Sequence, residues 1–142
     1  MSLRQFPNKV KLVFVAFWVL VFVRTALSLR KTGLLETRIA RYAASNSPVP
    51  GCEVRDLREV SWSVSAASRL VPGATCLTQA FAGSWLLGRR GHVTEIRLTL
   101  PVEKGSGFRP HAWLMHGDVI VLGGPRDEYI RHRPFKAVAE VR

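Results

Sequence analysis

The hydrophobic period of this chain changes once, near Gly91, and that change limits the fold more than any other feature. Before it, apolar residues recur every three or four positions; after it, they alternate. Val54, Leu57, Val60, Val64, Ala67 and Leu70 step along one helical face that ends at "VPG". Leu77, Ala80, Phe81 and Trp85 repeat the spacing, with Thr75 placed to cap a helix and Gly91 to stop it after "GRR". Beyond Gly91, "HVTEIRLTL" and "HAWLM" alternate and "DVIVL" is a short apolar strand. "PVEKGSGFRP" joins the first two strands and "HGD" the last two, while "GGPRDEYIRHRPFKAVAEVR" begins in a turn and carries little pattern. Helices followed by antiparallel strands predict an α+β fold.

Upstream, "RKTGLLETRIARY" sets Leu34, Leu35, Ile39 and Tyr42 at helical spacing. "AASNSPVPGCE", with its Ser, Asn, two Pro and Gly, is the clearest linker. It divides a helical N-terminal region, residues 1–47, from a more compact part, residues 48–142. At the start, an unbroken apolar run extends from Leu12 to Val23, with Lys9 and Lys11 before it and Arg24 after it. As a helix that run rises ~18 Å, short of the ~30 Å hydrocarbon core of a bilayer. Extending it to Leu29 buries Arg24, Thr25 and Ser28 in lipid, which is unfavourable. The expectation is an apolar helix near residues 8–30 that is buried or touches a membrane surface. A transmembrane anchor is the alternative. The basic start also fits a signal peptide, but the small-residue cleavage site is poor.

At 142 residues the chain has one domain's length, enough for a real core. Its 21 Lys and Arg against 10 Asp and Glu leave a net charge of +11. Such a surplus favours nucleic acid, an acidic peptide or protein, or a membrane surface; it can equally coat a soluble enzyme. No basic–aromatic interleaving and no helix-turn-helix signature supports nucleic acid, so none is expected as a partner. A hydrophobic content of 47% excludes a disordered basic tail.

Cys52 and Cys76 are too few for a disulfide scaffold and lack metal-ligand spacing, so no metal site is expected. A single bridge between them is the remaining alternative, and a cytoplasmic chain would keep both reduced. If Thr75 caps the helix, Cys76 lies in its first turn, where unpaired N–H groups and the positive end of the helix dipole favour thiolate over thiol. The plainer reading is a small buried apolar side chain. His111 opens the "HAWLM" strand, sharing a face with Trp113 and Met115. A cysteine opening a helix and a histidine opening a strand are what papain-like nucleophilic catalysis needs, if the two meet. His92, His116 and His132 compete; His116 in a turn and His132 in a basic tail fit solvated roles better.

The ordered set "CLTQAFAGSWLLGRRGHVTEIRL", an insertion, then "HAWLMHGD" resembles the transglutaminase-like domain of lasso-peptide leader peptidases, the microcin-processing B proteins. That family shows a Cys-Leu pair opening a helix, an "LxRRG" helix end, a strand, and "HAW" before a Gly-containing turn. Cys76-Leu77, "LLGRRG" ending at Gly91 and His111-Ala112-Trp113 fit it, over about residues 54–125. The resemblance implies a papain/transglutaminase-like core, a nucleophile helix packed on an antiparallel sheet, within residues 48–142. It implies a cysteine protease that removes the leader from a ribosomally made precursor peptide, with Cys76 as nucleophile, His111 as general base and no cofactor. It also implies the stand-alone protease form, because the first ~75 residues lack the strand pattern of a winged-helix leader-binding domain. The partners would be the leader region of the precursor, a separate leader-recognition protein and an ATP-dependent macrolactam-forming cyclase. A cytoplasmic location, with membrane contact through the N-terminal helix, goes with this reading. A Thr next to last in the leader is expected to matter.

The family completes a triad with an aspartate on the strand after the histidine, and here the match fails. A tight "HGD" turn would pair Met115 with Asp118 and leave His111 facing Leu122 or Gly123, without a carboxylate. Asp118 is then ~13 Å along the strand. Asp127 could fold back, and a backbone carbonyl or a water could hold the ring instead. The third member is left open between Asp118 and Asp127. Two other functions are the alternatives: acyl transfer to an amine through the same Cys76 and His111, as in true transglutaminases, or a non-enzymatic basic module that binds nucleic acid or membrane, supported by the +11 charge and the apolar N-terminus.

Overall fold

A computed structural model of the chain describes residues 6–102, 105 and 110–140. Four helices come first: α1 (Phe6–Ser28), α2 (Thr32–Ser45), α3 (Glu53–Ser68) and α4 (Cys76–Arg89). An antiparallel sheet follows, with β1 (Glu95–Pro101), β2 (His111–His116), β3 (Val119–Leu122) and β4 (His132–Glu140), and with the short α5 (Arg126–Ile130) before β4. The strand order is β3-β2-β1-β4. The α+β architecture expected from the change of period is the one observed.

Helix α4 is the centre of the molecule, packed against α1, α2 and α3 and against the sheet. Its composition explains why it can be buried on so many sides: Ala80, Phe81, Ala82, Trp85 and Leu87 are all core residues. At Gly83 the helix comes so close to the sheet that an added Cβ would lie 2.7 Å from both Leu114 and Leu122. Leu20 and Val23 of α1, Leu35 and Ile39 of α2, and Val60 and Val64 of α3 join the same cluster as Ala112 and Leu114 of β2. Each fully buried side chain of this size contributes about 1.5–3 kcal/mol. One core therefore serves the segments on both sides of the linker at residues 46–52.

The ends of α4 follow the sequence closely. Thr75 accepts a hydrogen bond from the Thr78 N–H at 3.3 Å, so the cap is made and Cys76 opens the helix. At the other end Gly91, with φ +83°, donates its N–H to Gly88 while His92 donates to Leu87. This paired arrangement stops a helix where glycine permits the left-handed turn.

Two features differ from the sequence reading. The weakly patterned C-terminal segment contains α5 and a nine-residue strand, β4, paired along β1. Its pairing comes from the open edge of β1, while Pro134 and two register shifts fit an edge strand and dilute any alternation. The "HGD" turn also has another register. His116 pairs with Val119, so Gly117 and Asp118 make the turn, and Met115 faces Ile120 where Asp118 was expected. A bulge between Leu114 and Met115 then brings Leu114 opposite Leu122. Most of the connection between β1 and β2, residues 103–104 and 106–109, lies outside the described residues.

Helix α1 extends beyond the apolar run at both ends and leaves Arg24 exposed. By length and composition alone it is long enough to cross a membrane.

Candidate active site

The N-terminus of α4 points at the start of β2. Cys76, first residue of the helix, lies with its Sγ 3.4 Å from the backbone N of Ala112. That amide belongs to the residue after His111, so the thiol reaches the backbone beside the imidazole. Tertiary packing thus brings together the two residues singled out in sequence, 35 positions apart. Cys76 is half-buried, held by the Thr75 cap on one side and the strand on the other, and the Ala112 N–H offers the sulfur a hydrogen bond. Cys52 and Cys76 are both free thiols, so the bridge between them is not made.

The imidazole of His111 has a defined partner. Its Nε2 lies 2.6 Å from the carbonyl oxygen of Gly123. A carbonyl oxygen only accepts, so Nε2 must carry a proton and donate. In the neutral ring that leaves Nδ1 as the unprotonated nitrogen, the one able to take a proton from a neighbouring thiol. Gly123 reaches this position with φ +131°, in a conformation open to glycine. An added Cβ would also lie 2.6 Å from the Trp113 ring and 3.2 Å from the Ala112 oxygen, so the carbonyl is aimed by a backbone that tolerates no side chain.

Neither aspartate considered for a third catalytic role is bonded to His111 among the described residues. Asp118 is exposed in the turn beyond the far end of β2. At about 3.3 Å per residue, that end of the six-residue strand is roughly 17 Å from His111. Asp127 is exposed in the first turn of α5.

Around the imidazole is a polar and aromatic support of which the sequence announced only Trp113, on the same strand face. The ring of Trp113 stands edge-on to His111 at 4.7 Å, and that of His132 lies 5.9 Å away. Trp113 is fully buried and donates Nε1–H to the Thr99 hydroxyl at 2.7 Å, which in turn lies 2.9 Å from His132 Nδ1. Tyr129 packs against Trp113, centroids 5.1 Å apart, and accepts a hydrogen bond from Arg97. The hydrogen bond to Glu95, and secondarily that to Tyr129, raises the Arg97 pKa above its ordinary value. His132 therefore has a place beside the site, where a solvated role was expected. Its position depends on β4, the strand that sequence pattern missed. The only cue was "TEIRLTL", whose alternation puts Thr99 and Arg97 on one face of β1.

The other two histidines are anchored elsewhere. His116 bonds the Val93 carbonyl through Nδ1 and Glu53 through Nε2, at 2.8 and 2.9 Å, so it too is less solvated than expected. His92 is buried, with Nε2 2.8 Å from Asp56, and the same carboxylate accepts from Arg90 at 2.8 Å.

No curated protein and no solved structure matches the chain. A family model described as the transglutaminase-like superfamily matches residues 19–134, from the middle of α1 into β4 and across both Cys76 and His111. Proteins of that superfamily are typically cysteine-dependent peptidases or acyltransferases. With a helix-opening cysteine beside a strand-opening histidine, and a family match over most of its length, this chain belongs to the transglutaminase-like superfamily.

Proposed function

We propose that the protein is a cysteine peptidase that removes the leader from a ribosomally made, lasso-type precursor peptide. The observation that carries the chemistry is the 3.4 Å approach of Cys76 Sγ to the amide beside His111. The "CL", "LLGRRG" and "HAW" motifs support the narrower substrate class through their resemblance to the leader peptidases.

His111 Nδ1 takes the thiol proton, and Sγ attacks the carbonyl carbon of the scissile peptide. A C–S bond forms and the carbonyl π pair moves onto oxygen. The N–H groups of Cys76 and Leu77, which open α4 without intrahelical acceptors, are available to that oxyanion. Collapse breaks the C–N bond, and the leaving amine takes the proton from Nδ1. Water, giving a proton to Nδ1, then attacks the thioester; the acid leaves and Sγ is reprotonated. The Gly123 carbonyl takes the orienting role that a triad acid has in other cysteine enzymes: it fixes the tautomer and faces the imidazolium with a dipole. Substrate delivery is assigned to a separate leader-recognition protein.

The test is incubation of the chain with a candidate precursor and its recognition protein, followed by mass spectrometry, with Cys76→Ala and His111→Ala alongside. Release of free leader by the wild type alone supports peptidase action. A product in which the acyl group is joined to an added amine would instead identify an acyltransferase, and equal cleavage by Cys76→Ala would remove the proposal.

A further inference from the structure

Helix α1 has two unlike apolar faces. Ala16, Leu20, Val23 and Ala26 are 0–5% exposed and belong to the core. Val10, Phe14 and Trp18, spaced by four and hence on one stripe, are 55–61% exposed. Trp62 of α3 and Leu70 extend this stripe into a shallow groove whose lining contains a single polar residue, Lys9. Contiguous aromatic surface of this kind is rarely left to water.

The rim is basic. Lys11, Arg55, Arg58 and Arg69 are exposed, and neither they nor Lys9 form an ion pair among the described residues. The acids of α3 are engaged elsewhere: Glu53 with His116, and Asp56 and Glu59 with Arg90. Lys9 Nζ sits 5.7 Å over the Trp62 ring, holding an ammonium at the edge of the aromatic surface.

We propose that this face docks on an anionic phospholipid surface, with α1 lying in the plane of the interface. Tryptophan and phenylalanine beside unpaired Lys and Arg form the pattern that seats an amphipathic helix at the headgroup level. The inner face sets the orientation. A helix crossing the bilayer would have to withdraw Leu20 and Val23 from the core, whereas a helix in the interface keeps them there. A second copy of the chain fits this face less well, because two-fold pairing brings identical basic rims together. The inference does not depend on the peptidase reading.

The test is flotation of the full chain with vesicles of phosphatidylcholine alone and of phosphatidylcholine with phosphatidylglycerol. Wild type should float with the anionic vesicles and at least about tenfold less with the neutral ones. Phe14→Ser with Trp18→Ser should abolish flotation, and Lys9→Glu with Arg58→Glu should reduce it at least about tenfold, both with unchanged circular dichroism. No flotation of the wild type, or equal flotation of the aromatic variant, would overturn the proposal. So would a vesicle-free dimer, seen by sedimentation, that the aromatic variant dissolves.

Discussion

His92 and His111 are two imidazoles each held through Nε2, and their surroundings are opposite. The His92 nitrogen meets a carboxylate, Asp56, in a buried network completed by Arg90. The His111 nitrogen meets the carbonyl of Gly123, at a half-buried edge beside a thiol. The Asp–His pair, the usual sign of a triad, is therefore at His92, while the histidine proposed to act with Cys76 has a neutral acceptor. A carboxylate beside an imidazole joins α3 to the end of α4. The carbonyl holds the His111 ring through one hydrogen bond and adds no buried charge. A strong imidazole partner therefore does not by itself mark a site.

The contrast can be broken by substitution, starting where the effect should be largest. Cys76→Ala should lower turnover at least about a thousandfold and leave unfolding unchanged, and His111→Ala should cost about a hundredfold or more. Loss of activity with an altered melting curve would instead assign Cys76 to structure. Asp56→Ala should do the reverse. It strands buried His92, leaves Arg90 with Glu59 alone, and should lower stability by about 3 kcal/mol in chemical unfolding, with activity per folded molecule kept.

Gly123→Ala should act on both stability and turnover. Its Cβ collides with the Trp113 ring, so stability should fall by about 1–3 kcal/mol. Turnover should fall by roughly tenfold as the carbonyl leaves Nε2, measured on the folded fraction. The smallest effect is expected at the acids. Asp118→Asn and Asp127→Asn, both exposed, should change stability by no more than about 0.5 kcal/mol and activity by less than about twofold. A tenfold loss at either would restore a carboxylate to the mechanism.

Much of the fold, and the placement of Cys76 near the start of β2 in the candidate site, are legible in the amino-acid sequence. The spacing of Leu77, Ala80, Phe81 and Trp85, the Thr75 cap and the Gly91 stop define α4 through local rules that tertiary packing does not override. Strands β1 and β2 follow from alternation, and β3 from its short apolar run, for the same reason. Strand β4 is hidden because an edge strand draws its pairing from its neighbour, and His132 is hidden with it. The orienting group of His111 cannot be read as a residue type, since it is a backbone carbonyl. The bulge at Leu114/Met115 that sets the strand against its partner depends on packing beyond the turn. The buried role of Asp56 is equally unreadable: it is one of several acids on an amphipathic helix, and its partners are 34 and 36 positions away.

The proposed pairing of Cys76 with His111 can be tested without any substrate. Cys52 and Cys76 are both free and half-buried, so each molecule carries its own reference thiol for alkylation by iodoacetamide at neutral pH. Mass spectrometry of the labelled peptides should show Cys76 reacting much faster than Cys52 in the wild type, with that advantage gone in His111→Ala. Equal rates at the two cysteines, or a Cys76 rate indifferent to His111, would contradict the assignment of these two residues as a catalytic pair.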